Sequence, residues 1–270
     1  MRPHVELVHA ADLESTELPA SGWLAGPRVK VLSADPDTGA LSTLVTLPPS
    51  YRRLQGFIES DCEWLVLSGA LRIGDSIRGF GWYEFLPAGT TQEVWRAETE
   101  CELLLLSRSG APDFVPGAGE DPNRDGAVRL DTELVDWQVS PIPGPPAGHA
   151  LKILRHDRET GEMAALGGSV PRRSYTKLQF HDCSEEMFVI SGDVWLGNSG
   201  RMVAGSYFWR PPFVTHGPFY TETGRFSYVY VDGPLINHYV DDPRSTPAEN
   251  RESVRAAGPP HDYLVEPTSS

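Results

Sequence analysis

The 270-residue sequence predicts an all-β protein built as two tandem jelly-roll β-barrels, residues 1–122 and 123–270. Three observations lead there. The chain repeats itself once, its apolar segments are short and rich in branched and aromatic residues, and 24 prolines and 26 glycines punctuate it.

The repeat is read from residue matches at a nearly constant offset. Lys30-Val31-Leu32, Asp35, Thr38 and Gly39 recur 122 positions later as Lys152-Ile153-Leu154, Asp157, Thr160 and Gly161. Pro48 matches Pro171, and Leu54-Gln55 matches Leu178-Gln179. Gly69 matches Gly192; Gly81, Tyr83, Pro87 and Thr91 match Gly205, Tyr207, Pro211 and Thr215 at an offset of 124. An offset that drifts by two residues over such a length marks a tandem duplication.

The strands expected in chain order include Ala40–Leu47, Glu63–Leu67, Glu102–Leu106, Met187–Ile190 and Phe226–Val231, each bounded by Gly, Pro or Asp. Asp35–Gly39 and Asp157–Gly161 read as hairpin turns, opened by Asp and closed by a Gly able to take positive φ. Ser109–Asp125, rich in Gly, Pro and Asp, reads as the linker between the copies. The tail from Asp241 to Ser270 reads as wrapping or disordered chain.

A net charge of −14 disfavours nucleic acid, whose phosphates need clustered Lys and Arg, and Arg52-Arg53 and Arg172-Arg173 are too small to reverse this. No apolar run approaches the roughly 18 residues of a membrane span, and the N-terminus lacks a secretory apolar stretch. Cys62, Cys101 and Cys183 are odd in number and lack CxxC spacing, which argues against a disulfide scaffold. The expected location is the cytoplasm. The expected partner is a small-molecule substrate, with a homodimer as the assembly left open.

Histidine placement locates the chemistry. No histidine lies between Ala10 and Gly148, so an imidazole-based site belongs to the second copy. There, an extended segment through residues 177–181 puts Lys177, Gln179 and His181 on one face. Glu185 follows across a bend, and Pro211-Pro212-Phe213-Val214-Thr215 leads to His216. Two imidazoles and a carboxylate suit a borderline divalent metal with positions left open for substrate. Glu186, the neighbour of Glu185, is expected to face outward as a surface carboxylate. Tyr175, Lys177 and Arg210 are candidates to line the pocket mouth and orient an anionic or carbonyl substrate. Cys183 reads as a small apolar residue rather than a thiolate ligand.

These residues resemble the cupin superfamily, and more loosely its ChrR-like members. His181, three residues, Glu185, six residues and Gly192 follow the second part of the first cupin motif. Gly205, five residues, Pro211-Pro212-Phe213, two residues and His216 follow the second motif, with Phe213 in place of its glycine. The resemblance implies a bicupin in which His181, Glu185 and His216 are metal ligands. The family's first motif histidine falls on Gln179, which is either the fourth ligand or a structural residue like its apparent match Gln55. In the first copy Gln92 stands for His216, Cys62 for Glu185, and Phe57 or Ile58 for His181. The nearby Glu59, Asp61 and Glu63 read as a solvated acidic loop rather than a second metal site.

The resemblance implies one divalent ion per chain (iron, zinc, manganese or nickel, with iron favoured). It also implies a mononuclear, dioxygenase-type enzyme acting on a small carbonyl compound. The alternatives are an isomerase or lyase with a redox-inactive metal, and a metal- or ligand-binding sensor that catalyses nothing. The first copy is expected to stabilise the protein without taking part in its chemistry.

Overall fold

The computed structural model describes residues 2–139, 147–197 and 199–257. Its chain divides into two compact units of antiparallel β-structure. One comprises the chain up to Pro3 with Ala10–Val135; the other comprises His4–His9 with the described residues from Asp136 onward.

In the first unit the main sheet runs Val128–Asp131, Trp82–Leu86, Cys62–Ser68, Cys101–Ser107, Leu41–Leu47, Arg28–Ala34 and Thr16–Glu17. The central strand Cys101–Ser107 is apolar almost throughout because both its faces are covered, and Leu103 to Leu106 are all buried. A smaller sheet of Arg52–Arg53, Trp95–Ala97, Leu71–Ile73 and Ser76–Arg78 belongs to the same jelly roll. Val45, Ile58, Trp64, Trp95, Leu103 and Leu105 are among the members of one continuous core.

The main sheet of the second unit follows the same order. It runs Val5–His9, Ser206–Arg210, Glu185–Leu196, Arg225–Val231, Met163–Ser169, His149–His156 and Gln138–Val139. Its buried apolar residues form separate groups, one around Met187, Val194 and Phe208 and another around Leu151, Met163 and Val231. A cavity is walled by members of both groups.

The repeat turns form as expected. Gly39 N–H donates to Asp35 O (2.9 Å) and Gly161 N–H to Asp157 O (2.9 Å), with φ of 81° and 77°. The apparent linker is partly structured. Phe114–Pro116 pairs with Gly56–Ile58, because its apolar Phe114 is buried in the first core. The tail also forms a helix, Pro247–Ala257. Thr246 and Glu249 cap it reciprocally, Thr246 N–H to Glu249 Oε2 at 2.9 Å and Glu249 N–H to Thr246 Oγ1 at 3.3 Å. Residues 258–270 lie outside the described residues. Among the described residues no helix is long and apolar enough to cross a membrane.

The division between units falls at Val135/Asp136 rather than 122/123 because Val128–Asp131 pairs with Trp82–Leu86 in the first sheet. The corresponding edge of the second sheet, beside Ser206–Arg210, is taken by Val5–His9 from the start of the chain. Each jelly roll therefore closes one sheet edge with a strand from outside its own expected boundaries. Glu6, on that N-terminal strand, accepts a hydrogen bond from the buried Arg210 guanidinium at 3.0 Å.

A piece consisting of residues 123–270 lacks this strand, leaving an unpaired sheet edge and a buried cation without its carboxylate. It should be insoluble or oligomeric by size-exclusion chromatography; a soluble monomer would contradict the described sheet.

Candidate metal centre

The site is built on a backbone clamp. Gln179 N–H donates to His216 O at 3.0 Å, and His216 N–H donates to Gln179 O at 2.8 Å. This places a residue of the short strand Leu178–Phe180 beside the loop that carries His216. Glu185 opens the long strand Glu185–Leu196, just after the bend at residues 182–183. The possible ligand atoms of His181, Glu185 and His216 all lie within 4.8 Å of one another.

Each imidazole is oriented from behind. His181 Nδ1 lies 2.9 Å from Ile236 O, and His216 Nδ1 lies 3.0 Å from Val214 O. A carbonyl can only accept, so both Nδ1 atoms carry the proton and both Nε2 atoms are left as acceptors. The Nε2 atoms face Glu185 Oε2 at 3.8 Å and 3.9 Å, beyond hydrogen-bonding range. Burial, with Arg210 and His181 nearby, holds His216 well below the usual imidazole pKa, which keeps it neutral.

Two buried acceptors, Glu185 Oε2 and Gln179 Oε1, have no hydrogen-bond partner. Gln179 Nε2 lies 3.4 Å from His216 Nε2, and a half-turn of the amide exchanges its nitrogen and oxygen at that position. The donor set of two imidazoles, a carboxylate and an amide oxygen fits a borderline divalent cation about 2 Å from each ligand.

The loop before His216 is held by the C-terminal helix. Phe213, in the place of the motif glycine, has φ of 69°, and its counterpart Gly89 has 80°. A phenylalanine adopts this left-handed conformation only when its surroundings enforce it. Phe213 N–H donates to His181 O at 2.7 Å. Asn250, 2% exposed, donates from Nδ2 to Phe213 O and to Thr215 Oγ1, each at 2.8 Å. The tail thus fixes the loop that positions one imidazole, a role its composition did not reveal.

The same clamp in the first unit joins Gly56 to Gln92, at 3.1 and 2.7 Å. Gly56, not Gln55, is therefore the counterpart of Gln179, and Ile58 that of His181. The match of Gln55 to Gln179 is a coincidence of the drifting offset, and with it goes the reason to read Gln179 as a structural relic. Arg53 fills the first unit's interior. It is fully buried, lies 3.6 Å from the Trp95 ring and 4.6 Å from that of Phe114, and donates to Gln92 Oε1. Burial lowers its pKa to about 9. The Arg53 guanidinium stands beside Gln92 and near Cys62, and its charge opposes a cation there. The acidic residues nearby are not a solvated loop throughout, since Glu63 is buried, accepts from Tyr83 OH at 2.5 Å and pairs with Arg108.

Glu186 is likewise buried rather than at the surface, 1% exposed, with Tyr207 OH donating to it at 2.5 Å. This repeats the Glu63–Tyr83 pair 123 and 124 positions earlier. Of the pocket-mouth candidates, Tyr175 lines the cavity, with its hydroxyl buried and its ring beside that of Tyr239. Lys177 is exposed, its ammonium 4.5 Å from the Tyr239 ring, because the short strand begins only at Leu178. Arg210 is drawn out of the cavity wall by Glu6 and Phe208. The wall instead contains His149, Arg173 and Arg225. Cys183 is buried in an apolar group, and burial with Asp232 and Glu185 pushes its thiol pKa up, so it is no thiolate.

The sequence matches the family described as Domain of unknown function (DUF4437) over residues 6–238. The chain belongs to this family. No curated protein matches the sequence. Among solved structures, a proposed dioxygenase from Nostoc punctiforme aligns with a TM-score of 0.78 at 21% identity, covering 90% of this chain and 87% of that one. Bacillus subtilis oxalate decarboxylase aligns with a TM-score of 0.54 at 14% identity, covering 87% and 78%. Hazelnut (Corylus avellana) vicilin aligns with a TM-score of 0.54 at 11% identity, covering 84% and 86%. These are cupin-fold proteins, and at such identities the likeness shows the fold alone: this DUF4437 member has the cupin fold.

Two substitutions separate the carboxylates. Glu185→Gln should lower metal content with little loss of stability. Glu186→Gln should keep metal and lose about 1–2 kcal/mol in chemical denaturation; the reverse pattern would show that the strand faces are misassigned. Asn250→Ala should cost about 1–3 kcal/mol, and adding Phe213→Gly should recover part of it, because glycine holds the loop conformation unaided.

Proposed function

We propose that this protein is a bicupin of the ChrR-like type and a mononuclear metalloenzyme. One divalent ion, iron by preference, is held by His181, Glu185, His216 and Gln179. The carrying observation is that both imidazole Nε2 atoms and an unpartnered carboxylate oxygen converge on one buried point, with the Gln179 amide 3.4 Å from His216 Nε2 and its Oε1 unpartnered. Two histidines and a carboxylate with open positions are the ligand type of non-haem iron oxygenases. The dioxygenase assignment of the Nostoc neighbour supports the same chemistry. The substrate is a small carbonyl compound.

A ferrous ion in such a site supplies the redox chemistry that brings dioxygen and substrate together. The chain's own residues orient and enclose. The carbonyls of Ile236 and Val214 fix both imidazoles, and the apolar walls from Met187, Phe208, Val229 and Leu235 restrict water. Burial and the neighbouring Tyr239 hydroxyl raise the Tyr175 pKa, so its hydroxyl stays protonated at the cavity wall. The first unit, with Arg53 in its interior, supplies stability only.

Protein purified without added metal should contain close to one ion per chain by elemental analysis. His181→Ala and His216→Ala should lose most of it, while Gln92→Ala should keep it. Turnover of 1,3-diketones or 2-oxo acids should consume oxygen in step with substrate. Substrate loss without oxygen uptake would replace the dioxygenase reading with isomerase or lyase chemistry, and binding without turnover would point to a sensor.

A further inference from the structure

The cavity beside the metal centre is small, about 110 Å³, and apolar over much of its wall. Its charges are unbalanced. Glu185 is the one carboxylate in the lining, against the guanidiniums of Arg173 and Arg225. A metal ion would engage Glu185, leaving the Arg225 guanidinium and the ion's remaining charge without a carboxylate in a partly desolvated space.

Arg225 opens the strand Arg225–Val231 and reaches back along the cavity. Nη1 lies 3.2 Å from Met187 Sδ, Nη2 lies 3.3 Å from His149 Nε2, and Nε is buried without a partner. Among the described residues no carboxylate lies within ion-pair distance of it. Burial and the guanidiniums of Arg225 and Arg173 push the His149 pKa down to about 3, so this ring is a neutral acceptor and adds no negative charge. Met187 lies two residues from Glu185 on the same face of one strand, a separation of roughly 7 Å. The guanidinium therefore stands about one small molecule's length from the metal centre.

We propose that the pocket binds a small organic carboxylate, its carboxylate seated on Arg225 with Arg173 nearby and its carbonyl or hydroxyl oxygen directed toward the metal centre. The planar fork of Arg225 suits a carboxylate, and the apolar walls suit a short carbon chain between the two ends. This names the substrate class of the metal-centre reading and depends on that reading only for the far end of the molecule.

The test is calorimetric titration of full-length protein, with metal content measured on the same samples. The probes are 2-oxobutanoate, 4-oxopentanoate and 4-hydroxybutanoate, each against its primary amide. At least one acid should bind tenfold or more tightly than its amide. Arg225→Gln should abolish that preference at unchanged metal content, and Arg225→Lys should restore part of it. No acid-over-amide preference anywhere in the panel, or a preference that survives Arg225→Gln, would overturn the inference. A preference that persists in metal-free protein and is lost in Arg225→Gln supports the carboxylate seat while removing support for the metal reading. Metal present without any acid preference does the opposite.

Discussion

The two mutual backbone hydrogen bonds between Gln179 and His216 constrain everything else at the candidate metal centre. They tie a three-residue strand to an otherwise irregular loop, so both side chains leave the backbone at fixed positions. Without them, the Nδ1 contacts could not aim two imidazoles at one carboxylate oxygen. Backbone pairing is indifferent to side-chain identity. The same clamp therefore survives between Gly56 and Gln92, where neither residue is a histidine. The duplication preserved the frame and left the side chains free to diverge.

That divergence shows in the packing. The first unit has a continuous core, with the Arg53 cation buried against aromatic faces that offset part of its desolvation. In the second unit Tyr175 stands at the matching place on its strand, paired with Phe219 as Arg53 is with Trp95. Here the interior holds a cavity with Tyr175 in its wall, and the apolar core separates into groups around it. Interior volume filled for stability in one copy is kept open in the other. A left-handed phenylalanine is tolerated in the loop before His216 because a helix from the chain's own tail holds it.

Much of this was legible in the sequence. The duplication, the strands, the two Asp-to-Gly turns and the positions of His181, Glu185 and His216 all follow from spacing. What spacing could not resolve was register and reach. A one-residue gap hid Gly56 as the partner of Gln179. The burial of Glu186 was missed because strand parity was read as inside against outside. In this sheet the other face is also covered, and Tyr207 supplies the hydrogen bond that makes burial of the carboxylate tolerable. The matching tyrosines, Tyr83 and Tyr207, were visible as repeat partners, and each pairing with a glutamate was the available signal. Arg225 and Arg173 were missed because a long side chain can enter a site far from its own Cα. The helix at Pro247–Ala257 carried a capping pattern in Thr246, Pro247 and Glu249 that the charge and proline content of the tail masked.

The central claim is one metal ion per chain, held in the second unit between His181, Glu185, His216 and Gln179. Anomalous diffraction at the absorption edge of the metal found by elemental analysis tests it most directly. The account predicts a single peak about 2 Å from both Nε2 atoms and from Glu185 Oε2, and none beside Gln92 and Cys62. A peak in the first unit, or metal bound in stoichiometric amount with no peak at these four residues, would contradict it.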